Sequence, residues 1–138
     1  MRAALLCLAV VAVGCASAAP EPTAPGVHVE LALVNGEVRP PVFRWDAPVA
    51  SRVTVLRGRT VVWEVSEADA NAGGSVRRGP LTPPLVYGDA FGDRTGPQPR
   101  VLVAPAVLLP GRVYTVSVVG YDGTVFQGRF SVQAEIAP

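Results

Sequence analysis

The chain has 138 residues, with 12 basic and 11 acidic side chains, 14 Gly, 14 Pro and a formal net charge of +1. That length suits one domain of ordinary size and is too short for two good cores. The near-neutral balance argues against a nucleic-acid binder, which needs a basic face, and the Val, Ala, Pro and Gly bias favours strands joined by turns over helices. Every basic residue is Arg, scattered along the chain, which reads as the codon usage of a GC-rich genome and not as a set of bidentate anion contacts.

Residues 1–14 have the form of an export signal. Arg2 is a minimal basic region and the apolar run behind it is short, since a spanning helix needs about 20 apolar residues. The run ends in Ala12-Val13-Gly14-Cys15, which resembles the lipobox of bacterial lipoproteins, with Ala12 where that family usually has Leu. The resemblance implies that Cys15 is lipidated and becomes the new N-terminus. A competing pattern, Ala16-Ser17-Ala18, fits ordinary signal peptidase and would release a soluble protein. Cys7 falls inside the signal, so the folded part holds no disulfide and no thiolate metal site. Residues 15–26 are small, polar and Pro-rich, the composition of a disordered tether. The domain is expected over 27–138.

Within it, Val27, Val29, Leu31 and Leu33 alternate with His28, Glu30 and Ala32, a half-buried strand ended by Asn35-Gly36. Phe43 and Trp45 then share one face, with Arg44 on the other. Val53 and Val55 point inward between Arg52 and Thr54; after Gly58, Val61, Trp63 and Val65 share a face. Residues 66–100 read as irregular, with one helical turn after Ser66, a short strand at 85–87 and otherwise turns. A strand at 101–104 follows. Pro110-Gly111 turns the chain into an alternating strand with Tyr114, Val116 and Val118 on one face, and Asp122-Gly123 closes a hairpin with residues 125–132. Seven or eight strands and no helix of length make the chain all-β.

A strand ending in Phe43-Arg44-Trp45-Asp46-Ala47-Pro48, and later Leu108-Leu109-Pro110-Gly111 leading to Tyr114, Val116 and Val118, resemble the second and sixth strands of a fibronectin type III domain. The resemblance implies a single Greek-key, immunoglobulin-like β-sandwich. It makes Trp45 a core residue and Tyr114 a tyrosine corner, whose hydroxyl bonds upstream backbone; both are structural assignments. The likeness covers those two strands and not the middle of the chain.

Catalytic patterns are not found. His28, the single His, sits on the polar face of the first strand without a nucleophile or orienting acid beside it, and no Gly-x-Ser-x-Gly elbow, Lys or phosphate-cradling loop occurs. The expectation is a protein that is not an enzyme and takes no cofactor. Asp89 and Asp93 in a Gly-rich loop offer fewer oxygens than a calcium loop requires, so no metal is expected either. A contact surface is the remaining prospect. Tyr87 and Phe91 in the long loop, Trp63 on a strand read as lying near a sheet edge, and Arg77-Arg78 could form one; for Trp63 and Tyr87 completing the core is the favoured reading, and Phe91 stays open between the two. Together these features predict a lipid-anchored protein of a bacterial cell envelope, at the outer membrane or cell surface, displaying a non-catalytic sandwich. Its partners are the membrane through its anchor and another envelope protein or a glycan, or its part is structural. The alternative is a secreted or periplasmic accessory module that stacks carbohydrate on those aromatics.

Overall fold

The alternation of apolar and polar side chains commits most of the chain to strands, because residues two apart share a face and bury it together. The computed structural model describes residues 26–72, 75–91 and 98–138, and of 68–72 and 75–78 the backbone alone. The segment read as an export signal, Cys15 and the stretch read as a tether, up to residue 25, lie outside the described residues. Among those described there is no helix. The strands are β1 (His28–Glu30), β2 (Leu33–Val34), β3 (Glu37–Val38), β4 (Val42–Arg44), β5 (Ala50–Arg57), β6 (Thr60–Ser66), β7 (Ala68–Ala72), β8 (Ser75–Gly79), β9 (Leu85–Val86), β10 (Arg100–Val103), β11 (Val113–Gly120) and β12 (Val125–Ser131).

All the paired strands are antiparallel. A five-stranded sheet runs β10-β6-β5-β11-β12 and a three-stranded sheet runs β1-β4-β9, while β2-β3 and β7-β8 form separate ribbons. The two main sheets share one core. Phe43 on β4 lies with its ring centroid 5.6 Å from Phe130 on β12 and 6.4 Å from Trp63 on β6, so its ring joins the inner faces of both sheets. Around it pack Val53, Val55, Val65, Val116 and Val118, all fully buried, and no polar or charged residue is buried with them among the described residues.

The N-terminal end bridges the sheets. Gly26 pairs in parallel with Gln127, and the Val27 N–H donates to the Gln127 carbonyl at 2.9 Å before the chain crosses to pair β1 with β4. Gly128 permits this approach: a Cβ there would stand 2.5 Å from the Val27 carbonyl oxygen.

Three expectations are corrected. The first strand does not run on to Leu33: β1 stops at Glu30, Leu31 is exposed in the link that follows, and Leu33 is exposed on a separate ribbon. Its turn is Asn35-Gly36, both with positive φ (55° and 80°), the geometry that suits a two-residue hairpin. Residues 66–72 and 75–79 form no helical turn; the chain continues from β6 into the β7-β8 ribbon, whose backbone pairing begins at Ala68 and Gly79 and satisfies the groups a helix would have used. Trp63 is not at an edge, since β6 is flanked by β5 and β10. In the β11-β12 connection only Gly123 has positive φ, while Asp122 accepts from the Thr124 N–H at 2.9 Å. That bond and a second from the Thr124 hydroxyl lower the Asp122 pKa.

Candidate functional site

Burial decides the fate of the aromatic residues first considered for contact. Trp63 is fully buried, Tyr87 is 2% exposed and Phe91 is 3% exposed. None presents a ring to solvent, so the aromatic contact surface is corrected to core. Trp63 and Tyr87 meet edge to face at 5.1 Å, an arrangement aromatic quadrupoles favour. The Tyr87 hydroxyl donates to the Ala106 carbonyl at 2.7 Å, which pins the 104–107 segment to the sheet. Burial pushes the Tyr87 pKa up to about 12, partly offset by that bond. Phe91 holds a left-handed φ of 57°, rare for a bulky side chain, and its N–H donates to Asp89 Oδ1 at 2.8 Å. The local Asp-turn and the burial of the ring hold that backbone in place.

Trp45 (6% exposed) and Tyr114 (fully buried) are core residues. The Tyr114 hydroxyl accepts a hydrogen bond from the Leu109 N–H at 2.8 Å, and its ring stacks on Phe130 at 5.4 Å. Arg77 and Arg78 stand on β8 opposite Ala70 and Asp69, with side chains outside the description. Cys15 and Asp93 lie outside it altogether. Asp89 is engaged with Phe91, and no group of three or more metal-ligating side chains occurs among the described residues. His28 is exposed on β1, opposite Arg44.

What the fold leaves open lies instead at the end of the domain where β11 begins and β12 ends. The β2-β3 ribbon projects there with Leu33 66%, Leu31 48% and Val34 41% exposed, and Val113, paired with Ser131, is 59% exposed. Between the ribbon and the end of β12 runs a groove of about 300 Å³, lined by Leu31, Leu33, Val38, Ser131 and Gln133. The turn from β5 to β6 brings Arg57 and Arg59 to the same end, and Arg112 precedes Val113; all three are exposed. The ion pairs found among the described residues are Arg44–Glu30 at 2.8 Å and Arg39–Glu37 at 3.9 Å, so Arg57, Arg59 and Arg112 have no acid partner there.

Sequence reasoning missed this cluster because Leu31 and Leu33 continue the alternation of Val27 and Val29 and so imitate a buried face. The Asn35-Gly36 turn was its one visible signal. No family model, curated protein or solved structure matches the chain.

Proposed function

We propose that the chain is a lipid-anchored protein of a bacterial cell envelope, attached through Cys15 and displaying a non-catalytic β-sandwich toward another envelope component. The observation that carries this reading is the order of segments in the sequence: a basic residue, a short apolar run ending in Ala-Val-Gly-Cys15, a Pro-rich stretch, then strands from His28 onward. A fibronectin type III-like Greek key is part of the same proposal. With the two ribbons and β10 set aside, β1, β4, β5, β6, β9, β11 and β12 are seven strands in two sheets. In that count β4, which leads into Trp45, is second and β11, which carries Tyr114, is sixth; with β10 of the five-stranded sheet counted in, β11 is seventh. The Leu109–Tyr114 bond supports the tyrosine-corner assignment.

The rival, a secreted module stacking sugar rings, keeps its Ala16-Ser17-Ala18 cleavage pattern but loses its means of recognition, since Trp63, Tyr87 and Phe91 are all buried. Metabolic labelling with palmitate in a bacterial host separates the two. Wild type should incorporate label and accumulate as a precursor under globomycin, whereas Cys15→Ser should take up no label and be unprocessed or soluble with or without globomycin. Label that persists in Cys15→Ser, or a wild type that never takes it up, overturns the anchor.

A further inference from the structure

We propose that the end of the domain built by the β2-β3 ribbon and the strand ends beside it rests on an anionic lipid surface, with Leu33 and Val34 dipping among the headgroups and Arg57, Arg59 and Arg112 contacting phosphates. The proposal builds on the membrane-anchored reading and adds to it a second, non-covalent contact.

Three observations carry it. First, Leu31, Leu33, Val34 and Val113 are four of the ten large apolar side chains exposed on the described surface, and they gather at one end. Scattered single hydrophobes need no explanation, but a cluster kept in water calls for something that covers it. Second, basic side chains outnumber acids around the cluster, where Glu37 and Glu135 are also exposed. Arg57, Arg59 and Arg112 are exposed without an acid partner among the described residues, and Glu37, the acid of the ribbon, faces Arg39 at 3.9 Å. Apolar side chains bordered by Arg suit an interface whose polar layer carries phosphate and whose next layer is hydrocarbon. Third, the ribbon is small. Two strands of two residues and a turn cannot supply the roughly 800 Å² per partner of a stable protein interface, whereas a bilayer needs only a protrusion.

The anchor geometry agrees. Gly26 is held beside Gln127, four residues before the end of β12 at Ser131. Cys15 is eleven residues before Gly26, so the connecting chain can extend roughly 35–40 Å, while all of β12 spans only about 24 Å. A lipid on Cys15 and the ribbon tip can therefore reach the same bilayer.

The test uses the full chain carrying Cys15→Ser, which removes the lipid, and reads amide hydrogen exchange by mass spectrometry. Vesicles of phosphatidylcholine mixed with phosphatidylglycerol are compared with pure phosphatidylcholine. Amides of 33–38 should slow on the anionic vesicles and not on the neutral ones, with β11 unchanged as the control for folding. Leu33→Ser with Val34→Ser should abolish that protection. Each of Arg57→Gln, Arg59→Gln and Arg112→Gln should weaken vesicle partitioning by about fivefold, the factor for one basic side chain near an anionic surface. Protection that is absent, or that survives in the Leu33→Ser/Val34→Ser chain, overturns the proposal. So does protection in vesicle-free buffer that grows with protein concentration, which would assign the tip to a second copy of the chain. Palmitate labelling is independent of all these readings, so failure of the anchor and failure of the tip are told apart.

Discussion

Two tyrosines fix loops to the sheets through their hydroxyl oxygens, one by accepting a hydrogen bond and one by donating it. Tyr114 accepts from the Leu109 N–H at 2.8 Å and its ring is fully buried, so Tyr114→Phe keeps the packing and leaves a backbone donor without its partner. The expected loss is about 1–2 kcal/mol, measured as a lowered urea midpoint at unchanged slope. A neutral result would mean that water reaches Leu109 at no cost. Tyr87 donates to Ala106, and its pKa is raised from 10.0 to about 12, chiefly by burial. The sign follows from proton binding. Between those values the unfolded chain has lost the phenolic proton and the folded chain keeps it, so stability falls as pH rises. Tyr87 should contribute its full stabilisation below pH 10 and lose up to about 1.4 kcal/mol per pH unit on the way to about 12. Tyr87→Phe should flatten that part of the curve; an unaltered alkaline slope would assign the effect to other groups.

At the scale of elements, the segment 26–30 belongs to both sheets, bonded to Gln127 at its start and to β4 along β1. Gly128 is the residue that lets it pass. A Cβ at that position would meet the Val27 carbonyl oxygen at 2.5 Å, a backbone contact, and the Val27 Cβ at 3.2 Å, and no rotamer change relieves either. Gly128→Ala should therefore cost about 1–3 kcal/mol and speed exchange of the Val27 amide, with β11 little affected. The same region shows what a sequence can reveal and what it cannot. The alternation through Tyr114, Val116 and Val118, and that through Val53 and Val55, was legible because strands paired on both sides bury every second residue. Leu31 and Leu33 obey the same alternation yet stand in solvent, since periodicity records which residues share a face and not whether another layer covers it. The β7-β8 ribbon was hidden for another reason. Ala68–Ala72 is made of residues poor in strands, and pairing with Ser75–Gly79 overrides that propensity. Phe91 was legible as an aromatic in a Gly-rich loop, but its burial depends on a left-handed backbone angle that no pattern of residue types announces.

The largest question of scale is whether two sheets and two ribbons behave as one body. Phe43 joins the main sheets: it is fully buried, rises from the three-stranded sheet and meets Phe130 and Trp63 of the five-stranded sheet. The three-stranded sheet has strands of only two or three residues, too short to stand without that cover. The five-stranded sheet would in turn expose Val53, Val55, Val65, Val116 and Val118 if its partner left. Neither sheet has an independent core, so unfolding should be a single cooperative event. Trp45 follows β4 and Trp63 lies on β6, which gives the fluorescence a reporter beside each sheet. Fluorescence and far-ultraviolet circular dichroism should trace the same denaturant transition. Phe43→Ala should lower the midpoint of both together, with a cost of about 3–5 kcal/mol from lost burial and the cavity left between the sheets. A domain of ordinary stability holds about 5–15 kcal/mol, so the variant should be partly unfolded at room temperature if the domain lies at the low end. Separate transitions for the two probes, or a loss under about 1 kcal/mol at Phe43, would mean that the sheets do not depend on each other and that the core has been drawn in the wrong place.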